Sequence, residues 1–253
     1  MKLLPLFAAT VLLGVSAHAQ APAEPAKPAE PAPTAPGAPA ATPAPAKRSL
    51  LKYTAPKGAT TGGRIDGDGG SRGISDKDKL PALYVLVPEQ AALTTHEAPT
   101  LFWYQTAGAN TRFEFTLTEP KNPKPVLKLA TDKSEKSGIH RVSLAKQNVT
   151  LKPGVTYKWT VAWVPKADNR SLNVVAGGSI QRVDPDPKLA TALEGAPLLD
   201  QAGVFAQNGI WYDALESLSN AIEAAPEDKS LRVMRADLLE QAGLKVAASG
   251  ERK

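Results

Sequence analysis

Cysteine is absent from all 253 residues. That excludes disulfide staples, thiolate nucleophiles, cysteine-ligated zinc, iron–sulfur clusters and lipid attachment at an N-terminal cysteine. Histidine is scarce. Of three, His18 falls in the leader described below, leaving His96 and His140. Neither stands in a His-Glu-x-x-His spacing, so no metal site is expected, and no cofactor. No G-x-S-x-G elbow offers a serine nucleophile. Strong charge of one sign is also lacking. The net charge is +5, falling by one when Lys2 leaves with the leader. The lysines around Lys121–Arg141 alternate with Glu119, Asp132 and Glu135 and read as a solvated face. Weak contact with anionic surfaces is compatible with that balance; nucleic acid is not an expected partner.

What is present begins with an export signal. Lys2, an apolar run from Leu3 to Val15 and the small-x-small triplet Ala17-His18-Ala19 read as a secretory signal peptide cut after Ala19. The run is too short to span a bilayer, which takes about 20 residues. A periplasmic or secreted location follows as the expectation, with no transmembrane segment in the mature chain. Residues 20–46 are a proline- and alanine-rich tract that cannot build a core and should form an extended tether. Residues 47–79 are irregular and Gly-rich. Asp66-Gly67-Asp68-Gly69 hints at a calcium loop, but Gly70 and Lys77 stand where ligands belong, so a simple loop is expected.

From residue 80 the pattern turns to strands. ALYVLVP, PTLFWYQT, RFEFTLTE, VLKLAT, IHRVSL, TYKWTVAWV and SLNVVAGGSIQRV give about seven short β segments. Phe113, Phe115 and Leu117 alternate with Arg112, Glu114 and Thr116, and Tyr157, Trp159, Val161 and Trp163 share one face. The run Leu151-x-Pro153-Gly154-x-x-Tyr157 resembles the tyrosine corner of fibronectin type III domains, in which the phenol bonds back to upstream backbone.

Asp184-Pro185-Asp186-Pro187 ends the β region and reads as a rigid connector. Three helical stretches follow, 189–209, 211–225 and 230–248, the last two parted by Pro226. Leu215, Leu218 and Ile222 line one face of the second. Residues echo at a spacing of 34: Ala202 with Ala236, Phe205 with Leu239, Gly209 with Gly243, Ala214 with Ala248. The period resembles tetratricopeptide repeats. The expected fold is α+β: an Ig/fibronectin III-like antiparallel β-sandwich over 80–187, then a tetratricopeptide-like helical hairpin plus one helix over 188–253.

The order of these motifs resembles one bacterial secreted family. Gly-Gly-Ser-Arg-Gly at 69–73, LYVLVP, TTHEAPTLFWY, L-x-P-G-x-x-Y-x-W, GSIQRVDPDP and AQNGIWYDAL together resemble domain of unknown function 928, from about Tyr53 to the C-terminus. That resemblance implies export but supplies no catalytic residues. Many members carry cysteines near the Gly-rich stretch and after the Y-x-W strand, where this chain has none.

No catalytic residue is expected. His96 beside Glu97 is the one close His–carboxylate pair, and Asp184/Asp186 and Glu114/Glu119 are the carboxylate pairs considered for glycan cleavage. Trp211 is expected between helices, leaving Tyr212 and Asp213 to meet the sandwich or a partner. Candidate contacts are therefore Tyr212 and Asp213, with Arg64, Arg72, Asp168 and Arg170 in loops. A groove along the first helix would be lined by Leu199, Gly203, Ala206 and Gln207, too uncharged to grip a peptide carboxylate. The leading expectation is a non-enzymatic envelope module that binds a protein or polymer. The alternatives are an envelope hydrolase acting on glycan or peptide through His96 or a carboxylate pair, and a tethered spacer.

Overall fold

The computed structural model describes residues 51–56, 64–67, 80–90, 92–131, 133 and 136–253. All belong to one compact unit, Lys47–Lys253. The expected signal peptide and tether, most of the Gly-rich stretch and Arg72 lie outside the described residues.

Among the described residues eight strands precede five α-helices, an α+β fold. They are β1 (Leu83–Val85), β2 (Ala92–Thr94), β3 (Thr100–Gln105), β4 (Arg112–Thr118), β5 (Leu127–Thr131), β6 (Gly138–Ser143), β7 (Thr156–Val164) and β8 (Val174–Arg182). The helices are α1 (Pro187–Leu193), α2 (Leu198–Gln207), α3 (Trp211–Ala224), α4 (Lys229–Gln241) and α5 (Lys245–Glu251). None is long and apolar enough to cross a membrane. Seven strands fall where alternation places them. The eighth, β2, escapes it: three residues pair in parallel with β8, Ala92 opposite Ile180.

Two sheets result, ordered β1-β3-β6 and β2-β8-β7-β4-β5. Register explains the core. Phe113 lies opposite Trp163, Phe115 opposite Val161 and Leu117 opposite Trp159, so one face of β4 and β7 is wholly apolar. Tyr157, Trp159, Val161 and Trp163 are each at most 2% exposed. Burying one such aromatic removes about 150–250 Å² from water, roughly 4–6 kcal/mol before entropic costs. Tyr157 also uses its hydroxyl, which accepts the Lys152 N–H at 3.2 Å, five residues upstream.

One edge of the sheet pair is stitched by backbone. Ile65 exchanges two 2.8 Å bonds with Gly177 on β8, and Gly67 exchanges two with Leu83 on β1. This part of the Gly-rich stretch, expected as a simple loop, thus links both sheets. Gly67 permits the approach: a Cβ there would stand 3.0 Å from the Val175 carbonyl oxygen.

Asp186 caps α1, accepting the Leu189 N–H at 2.8 Å, and Pro187 takes the first helical turn. Asp186 and Pro187, expected in a rigid connector, thus start a helix. The expected first and third helical stretches each split in two. Gly195 (φ 68) with Pro197 ends α1, and Gly243 (φ 77) separates α4 from α5 as Gly209 (φ 76) separates α2 from α3. Arg235 locks the helices together, pairing with Glu251 and donating to Ser219 Oγ at 3.1 Å.

Candidate functional site

The start of α3 is inserted into the molecule. Trp211, Tyr212 and Asp213 are all 0% exposed. Trp211 donates its indole N–H to the Leu86 carbonyl at 2.7 Å. The Tyr212 hydroxyl accepts from Trp159 Nε1 at 2.8 Å and donates to the Ser179 carbonyl at 3.0 Å. Tyr212 and Asp213 are therefore internal contacts, not partner contacts. An isolated helix buries one stripe, but this helix start has neighbours on every side, so adjacent residues are buried together.

Asp213 meets the end of β2 and the residue after it. It accepts from Thr94 Oγ1, Thr95 Oγ1 and, at 2.8 Å, the Thr95 N–H. One helical turn on, Glu216 accepts from Thr100 Oγ1 at 2.5 Å and from His96 Nδ1 at 3.3 Å. His96 Nε2 lies 3.9 Å from Asp213. The ring, 45% exposed, stands edge-on to Phe205. Its partner is thus Glu216, 120 residues away, and not Glu97, which pairs with Arg182 at 2.7 Å. The Glu216 hydrogen bond raises the His96 pKa against burial. Burial pushes Glu216 up, but its bonds to His96 and Thr100 outweigh that and leave it lowered. For Asp213 burial wins, and its pKa is raised despite His96 and the two threonines. Asp213 and Glu216, three apart on a helix, signalled a shared face that sequence reasoning passed over.

Each imidazole nitrogen faces a different carboxylate, so the three groups do not converge on a point. Among the described residues no group of three or more histidines and carboxylates is placed to hold a metal ion.

The opposite edge of the sheet pair is open. β5 and β6 are both edge strands, and between them lies a cleft of ≈ 430 Å³. Its wall is apolar: Trp103, Phe113, Phe115, Leu129 and Val142. Leu129 lies opposite Phe115 on the inner face, yet stays only part-buried because β5 ends its sheet. The rings form a column. Trp103 stacks on His140 (5.7 Å, 18°) and on Phe113 (5.3 Å, 22°), and Phe113 meets Trp163 edge-on at 5.2 Å. Burial lowers the His140 pKa, outweighing the bond that Nε2 donates to the Lys136 carbonyl at 3.0 Å, which raises it. Trp103 is 8% exposed, and its indole N–H has no acceptor among the described residues. Lys133, Lys146 and Gln147 stand at the mouth.

The loop candidates do not join either place. Arg64 donates to the Val87 and Ala242 carbonyls, both at 3.3 Å, and pairs with Asp66. Arg170 lies 3.0 Å from Glu114, and Asp168 is exposed nearby in sequence. Glu114, one of the carboxylates considered for glycan cleavage, is 7% exposed. Arg170 and Arg112 cover it and hold its pKa at about 2, with Lys128 adding its charge.

No curated protein matches the sequence. One solved structure, Astrotactin-2, described as a conserved vertebrate-specific and perforin-like membrane protein involved in neuronal development, aligns at 11% identity with a TM-score of 0.25. The alignment covers 76% of this chain and 43% of that one, so the chain spans under half its length, and such a likeness carries no argument. The sequence profile of Domain of Unknown Function (DUF928) matches residues 67–251, most of the chain, and the protein belongs to that family.

Proposed function

We propose that the protein is an exported binding module that receives an apolar or aromatic group of a partner molecule in the cleft between β5 and β6. The supporting observation is the stacked column His140–Trp103–Phe113 lying open at an unclosed sheet edge. Cavities of this volume, apolar with a few polar groups, are the usual seats of small ligands and side chains. The indole N–H of Trp103 is buried beside the cleft without an acceptor among the described residues. Export rests on the signal-like first 19 residues.

The test uses N-phenyl-1-naphthylamine, a neutral fluorophore with three aromatic rings. Saturable one-site binding to the full mature chain is expected, and loss of it in Leu129→Arg with thermal stability retained. No saturable binding, or equal binding by the variant, rejects the reading. The hydrolase reading has one observation in its favour, the half-exposed His96 held by Glu216. Against it, the ring is held between two carboxylates, Nδ1 by Glu216 at 3.3 Å and Nε2 3.9 Å from the buried Asp213. The spacer reading would leave the open cleft without a use.

For the finer architecture we favour an Ig/fibronectin III-like sandwich with a tetratricopeptide-like pair of helical hairpins. The Tyr157–Lys152 bond supports the first. The second is supported by α2–α3 and α4–α5 turning at glycines 34 residues apart with φ of 76 and 77.

A further inference from the structure

Residues 51–56, Leu-Lys-Tyr-Thr-Ala-Pro, lie as an extended strap along the helices and outside the 67–251 family match. Leu51 is buried, Lys52 exposed and Tyr53 half-buried, the alternation of an extended segment seated on one side. The contacts are those of a recognised peptide. Gln241, at the end of α4, reads the backbone with both ends of its amide. Its Oε1 accepts the Tyr53 N–H at 2.9 Å, and its Nε2 donates to the Leu51 carbonyl at 2.7 Å. On α2, the Ala206 carbonyl accepts the Thr54 N–H at 3.0 Å.

Side chains supply the anchors. Leu51 Cδ2 would stand 3.4 Å from a Cβ on Gly203. The Tyr53 ring meets Trp211 edge-on at 5.0 Å and 75°. Pro56 presses on Gly209, where a Cβ would come within 2.9 Å of it. Gly203 and Ala206, expected to line a groove too uncharged for a carboxylate clamp, thus face a backbone clamp instead. A further open space of ≈ 360 Å³ adjoins Tyr53 and Gln241, bordered by Pro88, Glu89 and Gln90.

We infer that the groove formed by α2, the start of α3 and the end of α4 is a recognition site for an extended peptide of a partner protein with an aliphatic residue and an aromatic two positions on. Residues 51–56 fill it in cis. Backbone bonds give such a site affinity and alternate pockets give it specificity. A tethered occupant competes at an effective concentration on the order of millimolar. If the strap is seated at least nine-tenths of the time, an outside peptide binds at least about tenfold more weakly than to the vacated groove.

The experiment titrates a fluorescein-labelled peptide, Ser-Leu-Leu-Lys-Tyr-Thr-Ala-Pro-Lys, against the full chain by anisotropy. The Leu51→Asp/Tyr53→Asp chain should bind it at least tenfold more tightly than wild type. Adding Gln241→Ala should cancel that gain. A second arm uses the absence of cysteine: in Leu51→Cys/Gly203→Cys the only disulfide that can form within the chain pins the strap. The oxidised form should refuse the peptide, and reduction should restore binding. Equal binding by oxidised and reduced forms, or no gain on weakening the strap anchors in a chain that still unfolds cooperatively, overturns the inference. So does a strap-dependent dimer of wild type with no peptide binding, because the segment would then serve a second copy.

Discussion

Replacing Tyr212 by Phe should be the most costly loss of a single oxygen atom in the chain. The hydroxyl sits between Trp159 Nε1 (2.8 Å) and the Ser179 carbonyl (3.0 Å), with no solvent access. Burial pushes the phenol pKa upward, so it is a neutral donor and acceptor at every working pH. Its removal strands the buried Trp159 N–H, at about 1–3 kcal/mol, and loses the bond to Ser179, about 0.5–1.5 kcal/mol. We expect about 3 kcal/mol in total, a fall in Tm of roughly 6–12 °C for a unit of this size. Urea unfolding by tryptophan fluorescence measures the first figure and calorimetry the second. Tyr157→Phe is the internal control. That hydroxyl holds one part-buried backbone N–H at 3.2 Å, so about 1 kcal/mol or less is expected. A double-mutant cycle with Trp159→Phe should show coupling of about 1 kcal/mol or more. A Tyr212→Phe loss below about 0.5 kcal/mol would refute the seating of α3 against β7 and β8.

Three other outcomes follow from the same geometry. His96 has a raised native pKa, so its stabilisation is complete below its ordinary 6.5 and fades as pH rises through the native value; urea midpoints of wild type should decline over that range, and those of His96→Gln should not. Glu114 titrates near 2 instead of 4.5, so its contribution is present above 4.5 and lost as pH falls toward 2. The shift bounds that contribution at roughly 3 kcal/mol, reduced because Arg112 and Arg170 are half-exposed, and Glu114→Gln should unfold with a flatter pH dependence there. Gly178→Ala would place a Cβ 2.6 Å from Cγ2 of the buried Val87 and should cost about 1–3 kcal/mol by chemical denaturation.

How much was legible in the sequence depended on the range of the interaction. Strands β4 and β7 announce themselves because alternation is local and their inner faces are continuous aromatic and aliphatic rows. β2 does not: Ala92-Leu93-Thr94 becomes a strand only because β8 offers a parallel edge. Helical periodicity located the helices but ran across Gly195-Ala196-Pro197 and Gly243, where left-handed glycines and a proline end them. His96 was visible as a candidate, but its partners were not, since Asp213 and Glu216 arrive from more than a hundred residues away. The cleft follows from how strands are shared between two sheets, three and five, which no local pattern encodes. Residues 51–56 are too short for a pattern to stand out, and their contacts come from α2, the start of α3 and α4.

The stitch at Ile65 and Gly67 ties the two sheets together along one edge. Four main-chain bonds hold β1 to β8 through that short segment, while nothing of the kind joins β5 to β6 among the described residues. The two layers are therefore bound like the leaves of a book, spine at Arg64–Gly67 and fore-edge at the aromatic column. Small rotations about the spine translate into the largest change of gap where Trp103 and Leu129 look out. On the proposed binding reading, a guest would meet the two layers at the edge that no main-chain bond holds, away from the inner rows near the stitch.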